Sequence, residues 1–278
     1  KNDISGKTNF AEFYRQTFRI YAKDSDFYNG NIENMKGAVS MGLEDFKIKI
    51  FADGANLDDM LAVYHKGLVK GFTTNPSLMK KAGIQDYKAF AEKVLEHITD
   101  DSVSFEVFSD DFATMEKEAD VLANLASNVY VKIPVTNTKG QSSLPLVEKL
   151  SAKGYHLNVT AIFTLEQVKG VVAALNPEVS SIVSVFAGRI ADAGVDAVTL
   201  MCEAAQICRQ KPKAELLWAS CREFYNIIEA EKCGCQIITV PNAILQKSKN
   251  YGKDLQAYSL ETVQGFFKDA SGLGFSIL

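Results

Sequence analysis

Short apolar runs alternate with longer amphipathic segments along the chain, starting at Lys47. Each run is five or six residues long and most are rich in aliphatic side chains, which is typical of a strand buried on both faces. The spacing between consecutive runs leaves room for a helix in each interval. The pattern predicts eight strands: Ile48–Ala52, Val69–Thr73, Val103–Phe108, Val129–Pro134, His156–Ala161, Ile182–Ala187, Glu215–Ala219 and Gln236–Val240.

The segments between these strands carry apolar residues at the period of a helix with one buried face. Eight strand-then-helix units in 278 residues predict an α/β chain folded as a (β/α)8 TIM barrel over residues 47–278. A doubly wound open sheet is the alternative, but no Gly-x-Gly-x-x-Gly motif follows the first strand. The predicted helices are Leu57–Lys66, Tyr87–Ile98, Asp111–Ala126, Leu144–Lys153, Leu165–Leu175, Asp196–Arg209, Arg222–Lys232 and, near the end of the chain, Leu260–Ala270.

Residues 1–46 lack this alternation and are predicted to form an N-terminal helical appendage. A second helix is expected near Ile32–Met41. An aromatic stripe on a helix is more often a docking face for the protein's own body than a surface for a partner. The aromatic residues that recur at helical spacing are Phe10, Phe13, Tyr14, Phe18 and Tyr21.

Composition restricts the partners and the compartment. The chain is 47% hydrophobic and 23% charged, as soluble globular proteins are, and its net charge of −4 provides no general attraction for nucleic acid. No apolar run reaches the ~18 residues of a membrane span, and no signal peptide is visible. The five cysteines all lie at or after Cys202, and an odd number favours reduced thiols and a cytoplasmic protein. The pair Cys233 and Cys235 is a weak zinc signal because no second pair follows.

Lys132 lies in the middle of the apolar run Tyr130–Thr136. A buried ammonium loses its hydration, so such a lysine must be paired, neutral or used in chemistry. A neutral amine can attack a carbonyl carbon and form a Schiff base. The alternative is a surface lysine on an edge strand.

Polar residues cluster at the C-terminal ends of the predicted strands, where barrels of this kind carry their active sites. Asp53, Glu106 and Thr160 could move the protons that imine formation and carbon–carbon cleavage require. Asp53 could instead cap the following turn, and Thr160 could be a core residue. Other positions predicted to contact the substrate are Thr73, Asn75, Asn158, Ser184 and Phe186.

A phosphate site is predicted late in the barrel. Arg189 and Arg222 lie close in sequence to Ser184 and Ser220. Arginine binds phosphate through two parallel hydrogen bonds, and barrels often bind phosphate near strands 7 and 8. Either arginine alone could instead be a surface or salt-bridge residue.

Five motifs resemble those of the transaldolase family, in the same order. The resemblance extends from Lys47 to Leu245, most of the chain. It implies a class I mechanism on a (β/α)8 barrel, without a metal or a cofactor. The motifs are Gly71–Leu78, Val131–Thr136, Asn158–Thr160, Phe186–Arg189 and Ala219–Arg222.

The resemblance also implies roles for individual residues. Lys132 would form the Schiff base, Asp53 would act as the general acid and base, and Glu106 and Thr160 would hold the catalytic water. The expected reaction converts sedoheptulose 7-phosphate and glyceraldehyde 3-phosphate to erythrose 4-phosphate and fructose 6-phosphate, as in the pentose phosphate pathway. The expected substrate contacts are Asn75, Asn158 and Ser184 for the dihydroxyacetone unit and Arg189, Ser220 and Arg222 for the phosphate.

The main rival is the fructose-6-phosphate aldolase branch of the same superfamily. That branch typically has Gln where this chain has Glu106 and Tyr where it has Phe186, so transaldolase is favoured. Gly54 replaces the usual Thr or Ser, and Cys221 replaces a common aromatic residue, which leaves the substrate range open. A less favoured reading is a non-catalytic barrel that binds sugar phosphates. The expected partners are sugar-phosphate substrates and, as a possible homo-oligomer, further copies of the chain, with no nucleic acid and no membrane.

Overall fold

Eight parallel strands close into a barrel in the order of the sequence. The structure, a computed structural model, describes residues 42–275 and 277. The predicted (β/α)8 TIM barrel is therefore confirmed. The strands are β1 (Lys49–Asp53), β2 (Gly71–Thr73), β3 (Ser102–Glu106), β4 (Val129–Pro134), β5 (Leu157–Ile162), β6 (Ser181–Val185), β7 (Ala214–Trp218) and β8 (Ile237–Pro241).

Helices connect the strands and surround the barrel. Short 3-10 turns, Leu43–Asp45 and Gln246–Asn250, precede β1 and follow the helix after β8. The α-helices of the described residues are α1 (Leu57–Tyr64), α2 (Pro76–Lys81), α3 (Tyr87–His97), α4 (Phe112–Ala123), α5 (Leu144–Ala152), α6 (Leu165–Ala174), α7 (Ala187–Asp192), α8 (Ala197–Cys208), α9 (Tyr225–Cys233), α10 (Asn242–Leu245) and α11 (Leu255–Gly272).

The predicted elements differ from the observed ones mainly at their ends. The predicted third strand continues to Phe108, but β3 ends at Glu106 because the Glu118 carboxylate accepts the backbone N–H of Phe108 at 2.9 Å and holds a loop there. The helix predicted from Arg222 begins at Tyr225, after a turn. Short helices were not predicted since four to six residues are too few to reveal a helical period.

The strand register places polar side chains of neighbouring strands at one height inside the barrel. Lys132 on β4 pairs with Glu106 on β3 and with Asn158 on β5. On the opposite side, Asp53 at the end of β1 pairs with Thr73 on β2. Because side chains alternate along a strand, register alone brings these groups to the C-terminal end of the same interior.

An apolar layer fills the barrel below these polar groups. Its side chains lie two residues before polar or cavity-lining residues of the same strands, so they point into the same interior one layer lower. Tyr130, for example, precedes Lys132 by two residues, and Phe51 precedes Asp53 by two. This layer forms a solid floor for the site. Its buried members are Phe51, Ile182, Leu217 and Ile237, with Tyr130 packed against them; Ala219 and Phe186 belong to the same cluster but lie one step nearer the strand ends and line the cavity.

Helix α11 begins at Leu255, after the side chain of Asp254 caps its N-terminus by accepting from the N–H of Ala257 at 2.9 Å. None of its residues is buried, and its large apolar residues include Phe266 and Phe267, which are 69% and 75% exposed. An amphipathic helix of this length usually depends on packing for its stability.

Residues 1–41 of the predicted N-terminal appendage lie outside the described part of the chain, and the predictions made for them are not tested. These predictions include the aromatic stripe and the helix near Ile32–Met41, and they stay predictions. Within the described residues, no helix is both long and apolar enough to cross a bilayer.

Candidate active site

Lys132 lies at the centre of the polar layer and is 6% exposed. Its Nζ donates to the backbone carbonyl of Thr74 at 3.1 Å and lies 3.1 Å from Oε2 of Glu106. Strand β4 is paired on both sides, so the interpretation of Lys132 as an edge-strand lysine is wrong. The resting amine is thus a buried, paired group whose nearest proton acceptor is a carboxylate.

Asp53 approaches the site from β1. Its Oδ1 accepts a hydrogen bond from Oγ1 of Thr73 at 2.8 Å. Burial raises the pKa of Asp53 above its ordinary 3.8, while the charge of Lys132 and the bond from Thr73 act in the opposite direction. A carboxyl group with a raised pKa is better suited to accept and return a proton near neutral pH. The N-cap of the helix that follows, α1, is Asn56 and not Asp53.

A chain of three side chains supports the wall beside Lys132. Ser184 Oγ donates to Oδ1 of Asn158 at 2.7 Å, and Nδ2 of Asn158 donates to Oγ of Ser104 at 3.0 Å. All three residues are buried. These bonds fix the amide of Asn158, so its carbonyl oxygen and its NH2 group have defined positions behind the lysine.

Thr160 presents a buried hydroxyl that makes no hydrogen bond with any described residue. The next residue, Ala161, has a positive φ of 57°, and the register of β5 against β6 shifts between Val159 and Ile162. Such a bulge re-aims a side chain and places local strain at a site. A buried hydroxyl normally finds a partner in protein, water or ligand. The hydroxyl of Thr160 is therefore available to a molecule in the site.

A cavity of about 120 Å³ opens above the apolar floor. This volume is well above the space that a single water needs, so the cavity can hold a small polar molecule. Three residues predicted for the site do not line the cavity: Glu106, Asn158 and Arg222. Glu106 contacts the cavity residue Lys132, and Asn158 is hydrogen-bonded to the cavity residue Ser184. The predicted residues that line it are Asp53, Thr73, Asn75, Lys132, Thr160, Ser184, Phe186, Arg189 and Ser220.

Asn75 joins the cavity from the start of α2. Its Oδ1 accepts the N–H of Leu78 at 3.0 Å, which caps the helix, and Pro76 occupies the first helical position. The cap fixes the side-chain amide, so its NH2 group remains to donate to a hydroxyl in the cavity.

Arg189 provides the cationic end of the cavity. Its guanidinium lies 5.4 Å from the ring centre of Phe186, a cation–π contact that orients an otherwise exposed side chain. Ser220 has a positive φ of 64° and lies close to Gly188. A Cβ on Gly188 would lie 1.7 Å from the carbonyl oxygen of Ser220, so only glycine allows the two loops to meet.

Arg222 does not reach the cavity, which corrects the expectation that both arginines are presented together. Its guanidinium forms an ion pair with Asp192 at the end of α7, and both side chains are about half exposed. Cys221, next to it, is buried, and burial raises the pKa of its thiol to about 12. The thiol therefore stays protonated and is not a nucleophile at neutral pH.

The cavity also contains residues that the sequence analysis missed. Thr239 on β8, together with Leu217 and Ala219 on the β7 side, lines it, and Thr74 contributes its carbonyl to Lys132. Their signal is weak, since a threonine in an apolar strand reads as a core residue. Gly54 leaves open space and lines a second cavity of about 360 Å³ that also touches Asp53. No group of His, Cys, Asp or Glu in the described residues is arranged for a metal ion.

Known proteins are similar to this chain over most of its length. The family described as Transaldolase/Fructose-6-phosphate aldolase matches residues 50–277. A protein named probable transaldolase from Caldicellulosiruptor saccharolyticus is 39% identical over 202 residues, which cover 72% of this chain and 88% of that protein. Another protein named probable transaldolase, from Rhizorhabdus wittichii, is 35% identical over 232 residues, which cover 83% of this chain and 100% of that protein. The chain belongs to the transaldolase/fructose-6-phosphate aldolase family.

Proposed function

We propose that the protein is a transaldolase that transfers a dihydroxyacetone unit from a ketose phosphate to an aldose phosphate. The donor and acceptor are sedoheptulose 7-phosphate and glyceraldehyde 3-phosphate, and the products are erythrose 4-phosphate and fructose 6-phosphate. One observation carries the proposal: a buried lysine lies 3.1 Å from a carboxylate in the barrel interior and lines a cavity shared with a second carboxyl group.

The first step is the formation of a Schiff base on Lys132. The ammonium gives a proton to Glu106, the nearest carboxylate, and the neutral amine then attacks the ketone carbon. The resulting carbinolamine loses water, which needs a proton donor beside the departing hydroxyl. Glu106 and the free hydroxyl of Thr160 hold this water and exchange its protons.

The second step breaks the carbon–carbon bond. Asp53 removes the proton from the hydroxyl on the carbon that becomes the aldehyde, and the protonated imine on Lys132 accepts the electron pair of the broken bond and becomes a neutral enamine. The raised pKa of Asp53 supports this role, since the group must also return the proton when an acceptor aldehyde adds.

The substrate lies across the cavity with its phosphate at the rim. Asn75 and Ser184 bind the hydroxyls of the dihydroxyacetone unit in the cavity of about 120 Å³, and Asn158, which does not line the cavity, holds Ser184 in place. Arg189 and Ser220 bind the phosphate. Arg222 is left out of this phosphate site, because it does not line the cavity and its guanidinium pairs with Asp192.

We propose the cytoplasm as the compartment and the interconversion of pentose-phosphate-pathway sugars as the context. The five cysteines are free thiols in the structure, which agrees with a reducing environment.

An acceptor-dependence assay tests the proposal. Fructose 6-phosphate is supplied with or without erythrose 4-phosphate, and glyceraldehyde 3-phosphate and free dihydroxyacetone are measured. A transaldolase forms glyceraldehyde 3-phosphate in many turnovers only with the acceptor and releases almost no dihydroxyacetone. Equal rates with and without acceptor would instead establish the aldolase activity. Full transfer by Lys132→Ala protein would refute the Schiff-base mechanism.

A further inference from the structure

Thr239 is a buried residue on β8 that the proposed mechanism does not use. It is 5% exposed, pairs in register with Phe51 on β1 and lines the active-site cavity. Its Oγ1 lies 2.5 Å from Oγ1 of Thr73, and that atom lies 2.8 Å from Oδ1 of Asp53. Three side chains from three strands therefore form one continuous hydrogen-bonded chain that ends on a carboxyl group.

The direction of this chain follows from the number of hydrogens. An ionised carboxylate only accepts hydrogen bonds, so Thr73 must use its single hydroxyl hydrogen toward Asp53. The hydroxyl of Thr239 is then the donor in the bond between the two threonines. Thr73 acts as acceptor and donor at once, which polarises its O–H group and strengthens the bond that it gives to Asp53.

We propose that Thr239 is a positioning residue that sets the protonation equilibrium and orientation of Asp53 through the hydroxyl of Thr73; the inference rests on the proposed function of Asp53 as general acid and base. By holding Thr73, it keeps Oδ1 of Asp53 engaged and leaves the second carboxylate oxygen for the substrate. It also stabilises the ionised carboxylate against the burial that disfavours it.

Other charged and titratable groups lie around Asp53 and around the two cavities that it lines. The variants at Thr239 leave all of these groups in place, so a change in Asp53 is attributable to the threonine chain. The groups are Lys132 and its partner Glu106, Arg189 across the cavity, Cys221 after β7, and Asp59 and Lys81 around the adjoining cavity.

The test compares Thr239→Val, Thr239→Ser, Thr73→Val and the double variant Thr73→Val/Thr239→Val. Valine keeps the branched shape and removes the hydroxyl, whereas serine keeps the hydroxyl. The pKa of Asp53 is followed by 13C NMR in protein with labelled aspartate, with Asp53→Asn to assign the signal. The pH dependence of kcat/KM is measured in the acceptor assay with the same proteins.

Thr239→Val is expected to raise the pKa of Asp53 by about half a unit, since polarisation is a fraction of one charge-assisted bond. The acid limb of the pH profile of kcat/KM moves to higher pH by the same half unit, which lowers kcat/KM about threefold at a given pH on that limb. Thr73→Val gives a larger shift of about one unit or more, and Thr239→Ser restores the wild-type limb. The double variant equals Thr73→Val, because Thr239 acts through Thr73.

An unchanged pKa of Asp53 in Thr239→Val would overturn the inference, as would a shift that adds in full to that of Thr73→Val. A fall in kcat without movement of the limb would assign Thr239 a purely structural role. The NMR titration needs no turnover, so it judges the threonine chain even if wild-type protein transfers nothing. Absence of wild-type transfer would refute the proposed function alone.

Discussion

Replacing Glu106 with glutamine removes the ion-pair partner of Lys132 with little change in shape. The two side chains lie 3.1 Å apart, and both are largely buried, with 8% of the lysine and 16% of the glutamate exposed. The substitution therefore tests Glu106 as the group that transfers protons, while the amine of Lys132 stays in place. The amine can still attack a carbonyl, but the site loses the group that takes up its proton and returns it to the leaving water.

The size of the effect can be worked from this geometry. Two unit charges at this distance interact by about 5 kcal/mol in an effective dielectric of about 20. The glutamine oxygen still accepts a hydrogen bond, so about 2–3 kcal/mol of the free energy of unfolding is lost, less than when a buried partner is removed outright. For a barrel of this size that corresponds to a fall in Tm of about 5–10 °C. Turnover falls about 10²–10⁴-fold, the usual contribution of a proton-transferring group.

The assay pairs turnover with chemical trapping. Glu106→Gln should be trapped on Lys132 by borohydride with fructose 6-phosphate more slowly than wild type, because imine formation also loses its proton carrier, and steady-state transfer is nearly lost. Glu215→Gln is the matched control: Glu215 pairs with Lys49 at 2.7 Å at the opposite end of the barrel, and both side chains are more exposed. An exposed pair contributes about 0–1 kcal/mol, so its Tm and turnover should stay close to wild type. Wild-type turnover in Glu106→Gln would refute the assignment of proton transfer to Glu106.

Asp53→Asn should raise Tm at pH 7 and lower turnover at least about 100-fold. Because burial raises the pKa of Asp53, the wild-type protein loses stability as pH rises above 3.8. Thermal scans across pH should therefore show that the gain in Tm of the variant vanishes below pH 3.8. Gly188→Ala, whose Cβ would lie 1.7 Å from the carbonyl of Ser220, should raise KM for phosphorylated substrates about tenfold or more and lower Tm; an unchanged KM contradicts this. A Cβ at Gly54 would have no atom within 4 Å, so Gly54→Ser should keep Tm within about 2 °C in the same scans. If further copies cover α11, Phe266→Glu should lower the molar mass seen by light scattering, and an unchanged mass excludes that face.

Much of the fold could be predicted because each strand has its own apolar run. The alternation of side chains along each strand also predicts which way they point. Lys132 and Asn158 point inward because they alternate with buried aliphatic residues of the same strands. The C-terminal strand ends are where such a barrel holds its site, so Asp53 and Glu106 could be selected without coordinates. Local sequence was enough for these residues.

The parts that could not be predicted depend on contacts between distant loops or strands. The pairing of Arg222 with Asp192 joins two loops 30 residues apart, and no local pattern shows which arginine faces the cavity. The contact of Thr239 with Thr73 depends on the closure of β8 onto β1 and β2. The bulge at Ala161 leaves no mark in a run of alternating residues. The hydrophobic period can be read from one strand alone, whereas strand register and barrel closure are properties of the assembled sheet.

The most direct test of the central claim is reduction with borohydride in the presence of fructose 6-phosphate, followed by mass spectrometry of the peptide that contains Lys132. The account predicts one reduced three-carbon unit on Lys132 in wild-type protein and its loss when erythrose 4-phosphate is added before the borohydride. An unmodified Lys132 peptide from protein that is active in the acceptor assay, or the adduct on another lysine, would contradict the account.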